Sequence, residues 1–150
     1  MSRFRWKLIT GSLSVAAVAA LTTAAHAQLV VTEILANPYR LYELDRVSKE
    51  AVPVLTIDRG VFPDDVVRTA HPLPEPSAVT DPADARRVRA LMVHVLEGAA
   101  AAGDTLLDRD RIIQGIDALH LQPQCPVTYD LFQIIGDQLA GDVVQVAVAD

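Results

Sequence analysis

Residues 83–103 read ADARRVRALMVHVLEGAAAAG, and the spacing of their apolar side chains sets the architecture. Val88, Leu91, Met92, Val95, Leu96 and Ala99 recur at the three- and four-residue steps that line one face of an α-helix. Asp84 stands where an N-cap carboxylate accepts from the first unpaired amides, and Gly103 where a helix stops in the left-handed region. The stretch therefore predicts a long amphipathic helix that needs a core to cover it. Arg86, Arg87 and Arg89 fall in its first turns, against the positive end of the helix dipole. They read either as solvated charges or as contacts to phosphate, so they are the candidate nucleic-acid-binding residues. His94 reads as a packed or surface histidine.

Towards the C-terminus the same logic continues. In DRDRIIQGIDAL (108–119) Asp108 is the expected N-cap, and Ile112, Ile113, Ile116 and Leu119 face inward. HLQPQCP (120–126) is a turn. Thr128 then caps TYDLFQIIGDQLA, with Leu131, Phe132, Ile135 and Leu139 inward, and VVQVAVA (143–149) alternates as a strand. Helix, helix, turn, helix and strand is the order of a winged helix-turn-helix module, whose strand would seek a partner beyond Asp150. Its recognition helix would present Tyr129, Asp130, Gln133, Asp137 and Gln138, with no lysine or arginine. Carboxylates set against phosphate weaken binding, so the module reads as structural or protein-contacting.

Upstream, residues 47–82 hold six prolines. AVPVLTI (51–57) reads as a short strand or extended run. RGVFPDDVVRTAHPLPEPSAVTDP (59–82) reads as an extended connector with polyproline character at HPLPEP (71–76), a spacer or a ligand for a proline-reading domain. Asp58, Asp64, Asp65, His71 and Glu75 lack the fixed spacing of a metal set and read as solvated loop charges.

The N-terminus carries two readings. Arg3, Arg5 and Lys7 precede an apolar run from Leu8 to Leu21, and Ala25-His26-Ala27 is a small-x-small site, so cleavage at Ala27-Gln28 would export the chain. The run of 14 residues is shorter than the roughly 18 a membrane-spanning helix needs. Read as folded protein, Ser12 or Ser14 caps one helix and Thr22 or Thr23 a second. In the second helix Ala27, Val30, Val31, Ile34 and Leu35 form a stripe that Asn37-Pro38 ends.

Composition bounds the rest. The 150 residues are 51% hydrophobic but 5% aromatic, which suits tightly packed helices. A net charge of −6 and a pI near 5.1 argue against a self-sufficient nucleic-acid binder. One cysteine, Cys125, excludes an intramolecular disulfide and a cysteine-cluster zinc site, and it reads as a small, partly buried residue. No phosphate loop, GxGxxG, HExxH or GxSxG occurs, so no catalytic residue, metal site or cofactor is assigned to the chain.

At ILANPYRLYELDR (34–46), DRGVFPDDVVRTAHPLPEPS (58–77), ARRVRALMVHVLEGAAAAGDTLLDRDRIIQGI (85–116) and QCPVTYDLF (124–132), the chain resembles a known family. It is similar to the region ahead of the motor in bacterial RecD-like ATP-dependent DNA helicases, in particular a long actinobacterial-type branch described as AAA-family ATPases. The family's Gly-His-Thr stands as Gly103-Asp104-Thr105, so the histidine's role is lost or moved. The resemblance implies a non-catalytic accessory region that packs on the motor and guides single-stranded DNA. ATP and magnesium would come only with the motor domains. It implies a cytoplasmic protein, with Ala27-Gln28 inside a helix.

The expected organisation is mainly α, in three parts. A helical hairpin spans 1–46, with 1–27 as its alternative signal peptide. An extended proline-rich connector spans 47–83, and a truncated winged-helix-like module spans 84–150. The alternatives to the helicase reading are a small periplasmic or secreted interaction protein beginning at Gln28, or an inert fragment.

Overall fold

The computed structural model describes residues 31–42 and 52–136. Most of the hairpin expected over 1–46, the Ala27-Gln28 bond and the strand expected at 143–149 lie outside them. Met1–Glu33 and Ile34–Asp150 form separate compact units. Five helices of the second unit are α1 (Val54–Val61), α2 (Asp65–Ala70), α3 (Ala85–Ala101), α4 (Arg109–Asp117) and α5 (Tyr129–Gly136). Residues 31–36 are also helical, and a turn at 38–39 leads into helical residues 40–42. The described residues are thus mainly helical and contain no strand.

α3 forms as its spacing predicts. Asp84 accepts from the Arg86 amide at 2.9 Å, and Gly103 closes the helix at φ +100°. Val88, Leu91 and Met92 are buried, and Val95 and Leu96 pack half-buried at the core's edge. Ala90 and Val93 are buried as well, so the core covers α3 beyond its principal stripe.

α4 packs against α3. Asp108 accepts from the Arg111 amide at 2.8 Å, and Ile112 and Ile116 enter the core. Gly115 marks a close approach, because a Cβ there would come within 2.7 Å of Val95 Cγ1. Valine has little rotamer freedom to give way. Gly115→Ala is therefore expected to cost about 1–3 kcal/mol through overpacking, against about 1 kcal/mol of gained helix propensity. In a Val95→Ala background the same change should stabilise the protein. Thermal melts of the four variants would check the reversal of sign.

α5 begins at Thr128, whose Oγ1 accepts from the Leu131 amide at 3.3 Å. Ile135 is buried, Leu131 and Phe132 are half-buried, and the Arg109 guanidinium lies 5.0 Å from the Tyr129 ring centroid.

The connector expectation for 47–83 is corrected. Residues 54–61, part of the run read as strand or extended chain, form α1, and 65–70 form α2. The reason lies in side-chain spacing. Val54, Ile57 and Val61 fall at helical intervals on one buried face, and the β-branched composition gave no period-two alternation to compete. Pro53 precedes the first turn, where a missing amide costs nothing. Among the described residues of the segment, 71–83 are irregular, with shorter irregular joints at 52–53 and 62–64. Nor is the segment a spacer, since Val54, Ile57, Val61, Phe62 and Val79 share one core with α3, α4 and α5.

A buried arginine clamp as the candidate functional site

Two charged side chains lie inside this core. Arg87 is completely buried and Asp58 is 2% exposed. Helical spacing explains both. Asp58 follows Ile57 on the inward face of α1, and Arg87 precedes Val88 on that of α3. Their pair is bidentate, with Nε–H to Oδ1 at 2.7 Å and Nη2–H to Oδ2 at 2.8 Å. The Tyr39 hydroxyl donates to the same Oδ1 at 2.7 Å. Arg87 also donates from Nη1 to the Pro82 carbonyl at 3.0 Å and from Nη2 to the Pro123 carbonyl at 2.7 Å. Its guanidinium carbon lies 4.3 Å from the centre of the Phe62 ring. One side chain thus joins α1, α3, the loop before α3 and the loop before α5.

The electrostatics follow from this enclosure. Burial works against the Arg87 charge, but the Asp58 carboxylate outweighs it, and the guanidinium is held protonated more firmly than usual. Tyr39 is pushed far above the ordinary phenol range, first by burial and then by its bond to Asp58. Cys125 is fully buried nearby, and desolvation pushes its thiol up to about 11. No buried side-chain nitrogen or oxygen among the described residues lacks a hydrogen-bond partner.

Arg86 forms a second clamp. It holds Asp84 through Nε and Nη2 at 2.9 and 2.8 Å. It donates from Nη1 to the carbonyls of Ala36 and Pro76, at 2.9 and 3.1 Å, and from Nη2 to that of Ala78 at 3.1 Å. Ser77 adds a bond to the Leu35 carbonyl at 2.7 Å, so the loop after HPLPEP is fastened to the end of the 31–36 helix. The arginine's hydrogen bond holds the Asp84 carboxyl below its ordinary range. A depressed folded-state pKa contributes stability above the unfolded value, about 4, that is lost as pH falls through the folded one. Acid unfolding of Asp84→Asn should accordingly show a shallower loss of stability below pH about 4 than wild type.

No protein-family model, curated protein or solved structure matches this chain.

Of the three candidate phosphate-binding arginines, the guanidinium groups of Arg86 and Arg87 are engaged with internal acceptors, and half-buried Arg89 is also engaged. Phosphate contact by Arg87 would require opening the core. Asp58, read as a loop charge, is a core residue, whereas Asp64, Asp65, His71 and Glu75 are exposed. Among the described residues no group of three such side chains is placed to hold a metal, and no helix is long and apolar enough to cross a membrane. Sequence reasoning missed Asp58 as the partner of Arg87, and Tyr39 as the second donor to Asp58. An aspartate within the Val54, Ile57, Val61 stripe was the available signal.

A half-open groove of about 430 Å³ lies between α1, α2 and residues 119–122. Leu55, Phe62, Val67, Leu119 and Leu121 give it apolar walls, and Arg59, Asp64, His120 and Gln122 supply its polar groups.

Proposed function

We propose that this chain is a non-catalytic accessory module of a RecD-like helicase, which works by packing against the motor domains. The observation that carries this reading is the fate of its reactive side chains. Tyr39, Asp58, Arg87 and Cys125 are sealed in the core, and the first three are used to join segments, which suits a scaffold and leaves no acid, base or nucleophile of this cluster facing a substrate. The succession of α3, α4 and Thr128-capped α5 supports a winged-helix-like module used for protein contact. ATP and magnesium act on the motor, in the cytoplasm. Single-stranded DNA passes along the assembled machine rather than along this module alone.

The test is to mix the purified chain with the motor core of a RecD-like helicase and measure mass by light scattering after gel filtration. A one-to-one complex is expected, and its absence would refute the reading. The isolated chain should bind fluorescent oligothymidine weakly. Tight binding with a steep salt dependence, abolished by Arg86→Gln with Arg89→Gln, would restore the arginines to DNA contact.

A second reading is export after cleavage at Ala27-Gln28, favoured by the basic Arg3, Arg5 and Lys7, the apolar run from Leu8 to Leu21 and the small-x-small Ala25-His26-Ala27. Intact mass of the expressed protein separates the two: loss of residues 1–27 supports export, and their retention supports the cytoplasmic module.

A further inference from the structure

We infer that the groove between α1, α2 and residues 119–122 is where the module docks on its partner, and that it takes an apolar peptide segment bearing a carboxylate. This rests on the reading of the chain as a protein-contacting module. α2 has six residues and none is buried; Val66 is 80% exposed and Val67 47%. α2 buries no face of its own, so its apolar side chains are open to a docking segment. The groove's volume is that of clefts that hold ligands, but its wall residue Val67 has an exposed neighbour in Val66. That continuation of apolar surface favours a peptide over a small molecule.

The polar groups choose the sign of the occupant's charge. Asp58 is already neutralised by Arg87. Arg59 is exposed and makes no ion pair or hydrogen bond among the described residues. His120 holds a left-handed backbone, φ +50°, which glycine would adopt at lower cost. Its Nδ1 lies 2.7 Å from the Ala118 carbonyl, which places the proton on Nδ1 and leaves Nε2 unused by that contact. Asp64, at the start of α2, is the remaining acid, and it opposes a second carboxylate, so it works against the occupant that Arg59 attracts. An occupant with an acidic side chain among apolar ones completes both the Arg59 charge and the Val67 surface.

The experiment titrates the isotope-labelled full chain with a blocked peptide, Leu-Leu-Glu-Val-Leu, and with its glutamine counterpart, read by amide shifts in nuclear magnetic resonance. Shifts are expected at Leu55, Arg59, Val67, His120 and Leu121. The acidic peptide should bind about threefold to fivefold more tightly, the reach of one exposed ion pair. Arg59→Gln should erase that preference, and Asp64→Asn should increase it. Shifts elsewhere, no shifts, or equal binding of both peptides would overturn the inference. A motor complex that survives Arg59→Gln with Val67→Asp would also overturn the groove assignment while leaving the module reading intact. Peptide binding without a motor complex would do the reverse.

Discussion

Arg87→Ala is expected to lower folding stability by about 3–5 kcal/mol, because it leaves the Asp58 carboxylate buried and unpaired. Typical domains have only about 5–15 kcal/mol in total, so the variant should melt far earlier or fail to accumulate. The loss goes beyond one ion pair. Two loop carbonyls, Pro82 and Pro123, forfeit their donor, and Phe62 loses the cation over its ring. Lysine should rescue little, since one ammonium cannot reproduce the bidentate grip on Asp58. The decisive comparison is Arg87→Met with Asp58→Leu, in which neither charge is stranded. This pair should recover part of the stability in urea titration, because the Tyr39 hydroxyl and the Pro82 and Pro123 carbonyls still lack their partners. Were Arg87→Ala to cost under about 1 kcal/mol, the clamp would not be what joins these segments.

The second large effect is expected at Leu91→Ala, about 3–4 kcal/mol by denaturant unfolding. Leu91 is completely buried, so the change removes its transfer energy and leaves a cavity. Collapse around that cavity would lessen the cost, and the packing resists collapse. Val95, one turn further along the same stripe, is already close against Gly115 of α4. The helices cannot draw nearer without a clash. Leu91→Met, which keeps most of the volume, should cost under about 1.5 kcal/mol.

How far the sequence could be read depended on whether the signal was local. α3 was legible from its stripe, with Asp84 and Gly103 as its ends, and the caps at Asp108 and Thr128 were equally local. α1 was hidden because β-branched valine and isoleucine beside proline suggest extended chain, although its spacing was helical. The clamp was illegible for a different reason. The run of arginines at 86–89 looks like a phosphate-binding patch, and whether a guanidinium meets solvent or a carboxylate 29 positions earlier depends on tertiary packing. Asp58 and Tyr39 are partners only once α1 and residues 39–42 lie against α3. The groove likewise arises from segments distant in the chain, which no motif marks.

Cys125 gives the molecule an internal clock. Its sulfur is fully enclosed beside the clamp, and its thiol pKa of about 11 keeps thiolate scarce at neutral pH. An alkylating reagent can therefore reach it only while the core is open, and the labelling rate counts those openings. With a single cysteine in the chain, every adduct reports the same event. A ligand seated on α1 and α2 would slow that count, and a loosened clamp would quicken it, with no introduced label to disturb either.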